Sequence, residues 1–296
     1  MTITDPATTP LSTTPLPTTP LPEPPAVEPY RIAPDTYLIP NLVPAEPGTF
    51  VMVNSLVILA EEPIVVDTGA PLHREQWLRN VSSIVDLDDV RWIFLSHDDG
   101  DHLGNMHTVL DRAPKARIVA NFFANERAFL EPDRAMPLER QVWLEAGASF
   151  DAGDRRLHLF KPPIFDGPTT RGLYDERTGV MWAVDSFAAL TTGAVYEVAD
   201  LPSELYDESF TLFGSMISPW HQWLAPEVYG RHVDTIEAIG ATTVASAHGP
   251  VLRGSFIPGA MDRVRALAGR PIVPAPGQEA LDAMLAASMV VATEAA

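Results

Sequence analysis

The chain has 296 residues, of which 46% are apolar, so it is long and apolar enough to bury the core of one or two domains. Its formal net charge is −19, from 20 basic and 39 acidic residues, which argues against nucleic acid or an anionic membrane surface as a partner. The lack of cysteine excludes disulfides, thiolate zinc sites and iron–sulfur clusters.

The first segment, residues 1–29, is predicted to be a disordered Thr/Pro-rich tail. The sequence TTPL recurs there at Thr8, Thr13 and Thr18, and proline removes the N–H group that helices and sheets need. The segment has neither the basic region nor the apolar region of a secretory signal. No run in the chain reaches the roughly 18 apolar residues of a membrane-spanning helix. We therefore expect a cytoplasmic protein with no membrane partner.

After the tail, apolar runs rich in β-branched residues predict strands. These runs occupy residues 51–59, 63–69, 90–96, 116–120, 155–160, 171–175, 179–185 and 242–247, the last predicted as the final strand. They come in clusters that are separated by helical patterns. The order predicts an α/β sandwich with one domain over residues 30–270, and residues 271–296 are interpreted as a C-terminal helix or tail.

Two of the helical patterns are clear. Residues 122–130 follow a predicted strand, and residues 226–239 begin with proline and are closed by Gly240. In the second helix, the residues predicted to lie roughly on one apolar face are Val228, Val233, Ile236 and Ile239.

The segment HDDGDH, residues 97–102, has the densest set of potential metal ligands. It places two histidines and three aspartates in six positions: His97, Asp98, Asp99, Asp101 and His102. A single short loop is poorly suited to aiming all of them at one ion. The pattern therefore predicts two adjacent ions, with His97 and Asp99 on one and Asp101 and His102 on the other. Asp98 is interpreted as a solvated turn residue.

Other candidates stand where apolar runs end. Asp67, His97, Asp185 and His248 each lie at or just beyond the end of a run, and the ends of strands are common places for functional sites. A carboxylate between two cations would reduce their repulsion, and Asp185 is predicted to bridge them in this way. Carboxylate-rich sites without thiolate favour iron, then manganese, and zinc stays an alternative.

These motifs, in this order, resemble the metallo-β-lactamase superfamily and, more closely, the diiron domain of flavodiiron proteins and related oxygen-binding diiron proteins. Flavodiiron proteins also have a carboxylate, usually Glu, at the position of Asp99. The stretches that match are GTFVMVNSLVI (48–58), VVDTG (65–69), HDDGDHLGN (97–105), VDSFA (184–188) and SAHGPVLRG (246–254). The resemblance covers roughly residues 30–265, and it implies a metallo-β-lactamase-like αββα sandwich.

The resemblance also implies a set of metal ligands. Three histidines and four carboxylates make up this set: His97, Asp99 and Asp166 for the first metal, Asp101, His102 and His248 for the second, and Asp185 as the bridge. Asp166 departs from the family pattern, which usually has a histidine there. In the alternative, Asp166 points away and leaves an open coordination position. Asp67 is expected to support the ligands by hydrogen bonding.

The function implied is that of a dinuclear non-heme iron protein that binds or reduces dioxygen, nitric oxide or peroxide, or performs a metal-dependent oxidation. Flavodiiron proteins carry a flavodoxin domain after this one, and we expect none here. The expected partners are therefore a small or gaseous substrate and a separate electron-donor protein, and a homo-oligomer is left open. The alternative is a metal-dependent hydrolase of an ester, lactone, amide or phosphodiester. A binding protein without turnover is the third reading.

Overall fold

The computed structural model describes residues 25–45, 48–283 and 285–286. Most of the predicted Thr/Pro-rich tail lies outside these residues. The strands are, in chain order, β1 (Tyr30–Ala33), β2 (Thr36–Ile39), β3 (Leu42–Pro44), β4 (Phe50–Met52), β5 (Ser55–Ile58), β6 (Ile64–Val66), β7 (Trp92–Phe94), β8 (Arg117–Ala120), β9 (Gln141–Trp143), β10 (Ser149–Asp151), β11 (Arg156–Phe160), β12 (Gly172–Asp175), β13 (Val180–Trp182), β14 (Leu190–Thr191), β15 (Thr243–Ser246) and β16 (Gly249–Arg253). The helices are α1 (Arg74–Ser82), α2 (Gly100–Leu103), α3 (Met106–Arg112), α4 (Phe122–Phe129), α5 (Ser203–Ile217), α6 (Pro226–Glu237) and α7 (Phe256–Leu267).

Two large sheets form the centre of the fold. The first has the order β1-β2-β5-β6-β7-β8-β9, and the second has the order β10-β11-β12-β13-β15-β16. Their facing side chains share one core, in which Leu56 and Ile64 of the first sheet join Leu157 and Trp182 of the second. A smaller sheet has the order β14-β4-β3.

Helices cover the outer faces of both large sheets. Helices α1, α3 and α4 pack on the first sheet, where Trp77 and Val109 share a core with Ile93. Helices α5, α6 and α7 pack on the second sheet, where Phe210 and Val233 share a core with Met181. Because the strands between these layers are buried on both faces, their sequences are nearly continuous apolar runs. The predicted αββα sandwich is confirmed.

Two of the predicted strands differ from the observed ones. The run 51–59 is divided between β4 in the small sheet and β5 in the first large sheet. The buried Asn54 lies at the division, and its Nδ2 donates to the carbonyl oxygens of Ser246 and Gly249. The run 242–247 is not the last strand, because β16 follows at once and pairs with β15 in antiparallel fashion. The Gly-Pro pair at 249–250 resembles a terminating turn, but Pro250 lies inside β16.

The apolar face of α6 also differs from the prediction. Val228 is 59% exposed, and the buried side chains are those of Tyr229, Val233 and Ile236. These three positions are four and three residues apart, which is the spacing of one helix face. The aromatic ring of Tyr229 takes the place that was assigned to Val228.

The described residues up to Pro274 make up one compact unit. The described residues that follow include a helical stretch at 278–283, in which Gln278 Nε2 donates to Asp282 Oδ1. Across the described ranges, no helix has both the length and the apolar character needed to cross a membrane.

Candidate metal centre

Four loops place six of the seven predicted ligands, together with the supporting Asp67, at one edge of the two sheets. Asp67 follows β6 and His97 follows β7, and these two strands are parallel neighbours. Asp185 follows β13 and His248 follows β15, which are also parallel neighbours. Because the carboxyl ends of parallel strands lie at the same edge of a sheet, each pair of loops emerges side by side. The sheets then bring the two pairs together.

A very short helix completes the loop after β7. Helix α2 begins directly after Asp99 and carries both Asp101 and His102. It is held against the loop after β6, since Thr68 N and Oγ1 both donate to the carbonyl oxygen of His102. A side chain at Gly104 would collide with the ring of Pro71 and with two backbone oxygens, so this close approach requires glycine.

Hydrogen bonds at Nδ1 orient all three histidines in the same sense. His102 Nδ1 lies 2.9 Å from Asp67 Oδ2, and His248 Nδ1 lies 2.9 Å from the carbonyl oxygen of Met52. A carboxylate and a carbonyl oxygen only accept, so both Nδ1 atoms carry the proton. His97 Nδ1 lies 3.1 Å from Ser96 Oγ, whose own proton goes to Asp67. Each Nε2 is therefore left to face the centre.

The carboxylate of Asp185 lies between these imidazoles. Its Oδ2 is 3.6 Å from His97 Nε2, and its Oδ1 is 3.2 Å from the Nε2 atoms of both His102 and His248. Oδ1 is buried and receives no hydrogen bond of normal geometry from the described residues. The nitrogen and oxygen atoms thus surround common points instead of forming ordinary hydrogen-bonded pairs, which is the arrangement expected around cations.

All seven predicted ligands are brought together, in three overlapping groups. Within each group the ligand atoms lie within 4.8 Å of one another: His97, Asp99 and Asp166; Asp101, His102 and His248; and His97, His102 and Asp185. The first group is open to solvent, because Asp99 is 46% exposed at its side chain and Asp166 is exposed. That these groups bind metal remains a prediction.

The electrostatics of the centre favour a bound cation. Burial would lower the pKa of His102, but the carboxylates of Asp101, Asp185 and Asp67 outweigh it and hold the pKa well above its usual range. Burial would raise the pKa of Asp185, yet His97 and His102 hold it well below the usual range. Buried negative charge thus attracts positive charge onto the imidazoles. A metal ion satisfies the same carboxylates while neutral imidazoles bind it through Nε2.

Comparison with known proteins agrees with this architecture. Residues 51–249 match the family profile described as ODP family beta lactamase. The chain belongs to this family. The matched region contains all seven candidate metal ligands of this chain.

Among curated proteins, this chain is similar to diflavin flavoprotein A 1 of Synechocystis sp., with 26% identity over 202 residues. The aligned part is 68% of this chain but only 34% of that protein. The chain thus spans about a third of the length of this relative.

Solved structures show the same fold. Rubredoxin oxygen:oxidoreductase of the anaerobe Desulfovibrio gigas aligns with a TM-score of 0.69 and 13% identity, covering 81% of this chain and 61% of that one. The flavodiiron protein of Giardia intestinalis aligns with a TM-score of 0.68 and 18% identity, covering 83% and 60%. The predicted resemblance to the diiron domain of flavodiiron proteins is confirmed at the level of the fold.

The loop of Asp166, where this chain has an aspartate in place of the expected histidine, is tightly held. Thr170 Oγ1 donates to Asp166 Oδ1 across 2.8 Å, and Thr170 is fully buried. Lys161 Nζ donates to the carbonyl oxygens of Gly167 and Thr170 and lies 3.7 Å from the centre of the Phe165 ring. Burial and the nearby Arg171 lower the pKa of Lys161 to about 8. The second carboxylate oxygen of Asp166 makes no hydrogen bond among the described residues, so it is the one left for a cation.

Backbone strain is concentrated at this centre. Asp67, Val184 and Phe187 are the non-glycine residues with positive φ in the described part of the chain, at 55°, 56° and 68°. A β-branched residue such as Val184 rarely adopts this conformation. Val184 directly precedes Asp185, and Phe187 follows it by two residues, so the strain lies where the bridging carboxylate is positioned.

One residue of the motif differs from the prediction. Asp98 is not a solvated turn residue, because it is buried and its Oδ2 lies 2.9 Å from Arg127 Nε. Arg134 donates to its backbone carbonyl oxygen. A buried carboxylate needs a charged partner, and that partner comes from α4, which is nearly thirty residues away in the sequence and gives no local signal.

Three supporting residues were missed by the sequence analysis: Ser96, Thr170 and Arg127. Ser96 directly precedes the HDDGDH motif, and a hydroxyl beside a buried histidine is a usable signal. Thr170 is four residues from Asp166, which is within reach for a hydrogen bond inside one loop. Only the fold reveals Arg127.

Proposed function

We propose that this chain is a dinuclear non-heme iron protein that binds or reduces dioxygen, nitric oxide or peroxide. The observation that carries the proposal is the placement of Asp185. Its two oxygens lie near different imidazoles, Oδ2 near His97 and Oδ1 near both His102 and His248. One carboxylate that faces two ligand groups favours two ions over one.

The residues fit iron by their chemistry and their arrangement. His97, Asp99 and Asp166 would hold the first ion, and Asp101, His102 and His248 would hold the second, with Asp185 between them. Four carboxylates and three imidazoles without thiolate suit iron or manganese better than zinc. Two ferrous ions would supply electrons to a small oxidant such as dioxygen, nitric oxide or peroxide.

The protein's own part in this chemistry is to orient the metal ligands and to give a small substrate access to the first ion. Asp67 and Met52 hold the imidazoles with Nε2 toward the centre, so binding an ion requires little rearrangement. The buried side of the centre keeps water from the bridging carboxylate, since Asp185 has only 6% of its side chain exposed. The open side lies at Asp99 and Asp166, and this is where a small substrate would reach the first ion.

The electron donor is proposed to be a separate protein or domain. The similar solved chains extend well beyond the part that aligns with this one, and a further domain could carry such a role. The chain has no cysteine, so it offers no thiolate ligands for an iron–sulfur cluster that could relay electrons.

The experiment is oxygen uptake by protein loaded anaerobically with ferrous iron, with excess reductant and a small electron carrier. The proposal predicts uptake that depends on iron and is lost in Asp185→Ala. The matched control is Asp89→Ala, because Asp89 is an exposed aspartate outside the centre. Zinc-loaded protein should take up no oxygen. Cleavage of an ester or phosphodiester probe by the zinc form, with no oxygen uptake by the iron form, would replace this proposal with a metal-dependent hydrolase.

A further inference from the structure

Arg127 lies beside both loops that carry the open ligands of the first group. From α4, its Nε lies 2.9 Å from Asp98 Oδ2, next to the candidate ligand Asp99. Its Nη1 lies 3.7 Å from the point where a Cβ on Gly167 would stand, and Gly167 directly follows the candidate ligand Asp166 in the sequence. The guanidinium therefore lies at the open side of the centre.

This guanidinium has donors to spare. Its side chain is 50% exposed, whereas that of Asp98 is only 6% exposed. The described residues give Arg127 a single ion-pair partner, Asp98, which takes Nε and leaves the terminal nitrogens available. Arg134 differs, because its Nη1 is paired with Glu131 and its Nη2 with the Asp98 carbonyl oxygen. Arg127 alone of this pair can offer a planar N–H edge to a ligand.

An apolar surface continues from Arg127 along the helix. Phe123 lies one turn before it and Leu130 one turn after it, and they are 54% and 79% exposed. Positions three and four residues apart share a helix face. A second exposed ring, Phe122, packs edge to face on both Phe123 and Trp143. A cationic edge thus stands beside exposed aromatic rings.

This combination is more than a diatomic gas requires. Dioxygen and nitric oxide carry no charge and offer a guanidinium no bidentate partner, whereas a carboxylate does. Two divalent ions would balance the four ligand carboxylates, so an approaching anion would not face net negative charge at the centre itself. The chain as a whole carries −19, so a cationic group is most needed where an anion has to bind.

We propose that Arg127 binds the carboxylate of a small organic substrate or co-substrate at the open side of the first metal position, with the apolar part of that molecule against Phe123. The inference rests on the proposed function, since it places the molecule beside the metal centre. It assigns the substrate a class, that of small carboxylic acids with an apolar body.

The test is calorimetric titration of the iron-loaded protein with benzoate and with its neutral analogue benzamide. Wild-type protein should bind benzoate, and Arg127→Met should weaken binding about tenfold or more, as expected for loss of a charge-assisted hydrogen bond. Benzamide affinity should be weak and equal in both proteins. Arg112→Met is the matched control, because Arg112 is exposed on α3 and its loss changes the net charge equally.

Removing Arg127 leaves the buried carboxylate of Asp98 without its ion-pair partner, and this alone could disturb the loop. A second variant that removes both charges is therefore needed beside Arg127→Met. The double variant Asp98→Asn/Arg127→Met removes both charges together and should show the same loss of benzoate binding. Absence of benzoate binding to wild type, or equal affinity in the Arg127 variants, overturns the inference. Iron content and the visible spectrum of the nitric oxide complex are recorded on every sample. If no iron is held but benzoate binding still depends on Arg127, the proposed function fails and the carboxylate site stands.

Discussion

Asp67 Oδ2 and His102 Nδ1 lie 2.9 Å apart, and this contact determines which imidazole nitrogen faces the candidate metal centre. Asp67 is fully buried and also accepts from Ser96 N, Ser96 Oγ and Trp182 Nε1. One carboxylate therefore joins both sheets and orients the motif loop. Its positive φ fits a residue whose conformation is set by these contacts.

Asp67→Asn should destabilise the fold and weaken the second metal position. An amide keeps the shape but replaces one acceptor oxygen with a donor, which then faces another donor. We expect a loss of about 1–3 kcal/mol in the free energy of unfolding and about 10–100-fold weaker metal binding. Urea unfolding and competition with a chelator measure the two effects. The control Asp89→Asn, at an exposed position, should change neither stability nor metal affinity. If Asp67→Asn has the stability and metal affinity of the wild-type protein, the role assigned to Asp67 is contradicted.

Asp185→Ala should lose at least one of the two ions. Removal of the carboxylate takes away negative charge that both cations would share, so the remaining ligands hold the pair against greater repulsion. Elemental analysis after reconstitution with ferrous iron measures the stoichiometry, and Asp89→Ala is the control. Asp98→Ala is unsuitable as a control because Asp98 is ion-paired with Arg127. Equal iron content in the Asp185 and Asp89 variants would show that the bridge is misassigned.

Thr170→Val should weaken the first metal position more than the second. The variant keeps the volume of the side chain but removes the hydroxyl that donates to Asp166 Oδ1, so the Asp166 carboxylate becomes free to rotate. Thr169→Val is a matched control, because Thr169 is also buried and its hydroxyl makes no hydrogen bond to Asp166. Stepwise iron titration followed by Mössbauer spectroscopy distinguishes the positions. Identical titrations for the two threonine variants would argue against Asp166 as a ligand.

Asp166→His should retain both ions and raise the reduction potential of the centre. A carboxylate is anionic and stabilises the ferric state, whereas imidazole is neutral and does so less. Spectroelectrochemical titration of wild type and variant gives the shift directly. A potential that stays the same or falls, with full iron content, would indicate that Asp166 lies outside the coordination sphere.

The sequence predicted those strands and ligands that depend on residues close to one another along the chain. The apolar runs gave the strands that end at Asp67, His97 and Asp185, and the spacing of HDDGDH indicated a cluster of ligands. The partner of Asp98 was not predictable, because Arg127 lies on a different element and is brought near only by packing. Strand β16 was missed for another reason: Gly249 and Pro250 favour a turn locally, yet pairing with β15 and burial of Val251 and Leu252 override that preference.

The positions of the ions themselves give the most direct test of the account. Crystals of iron-loaded protein would be measured on both sides of the iron absorption edge. We predict two anomalous peaks, one beside His97, Asp99 and Asp166 and one beside Asp101, His102 and His248, with an oxygen of Asp185 near each. The Asp166 carboxylate should lie about 2.0–2.6 Å from the first peak, the range of oxygen ligands. A single peak, or no peak in protein with all seven residues intact, would contradict the dinuclear iron centre.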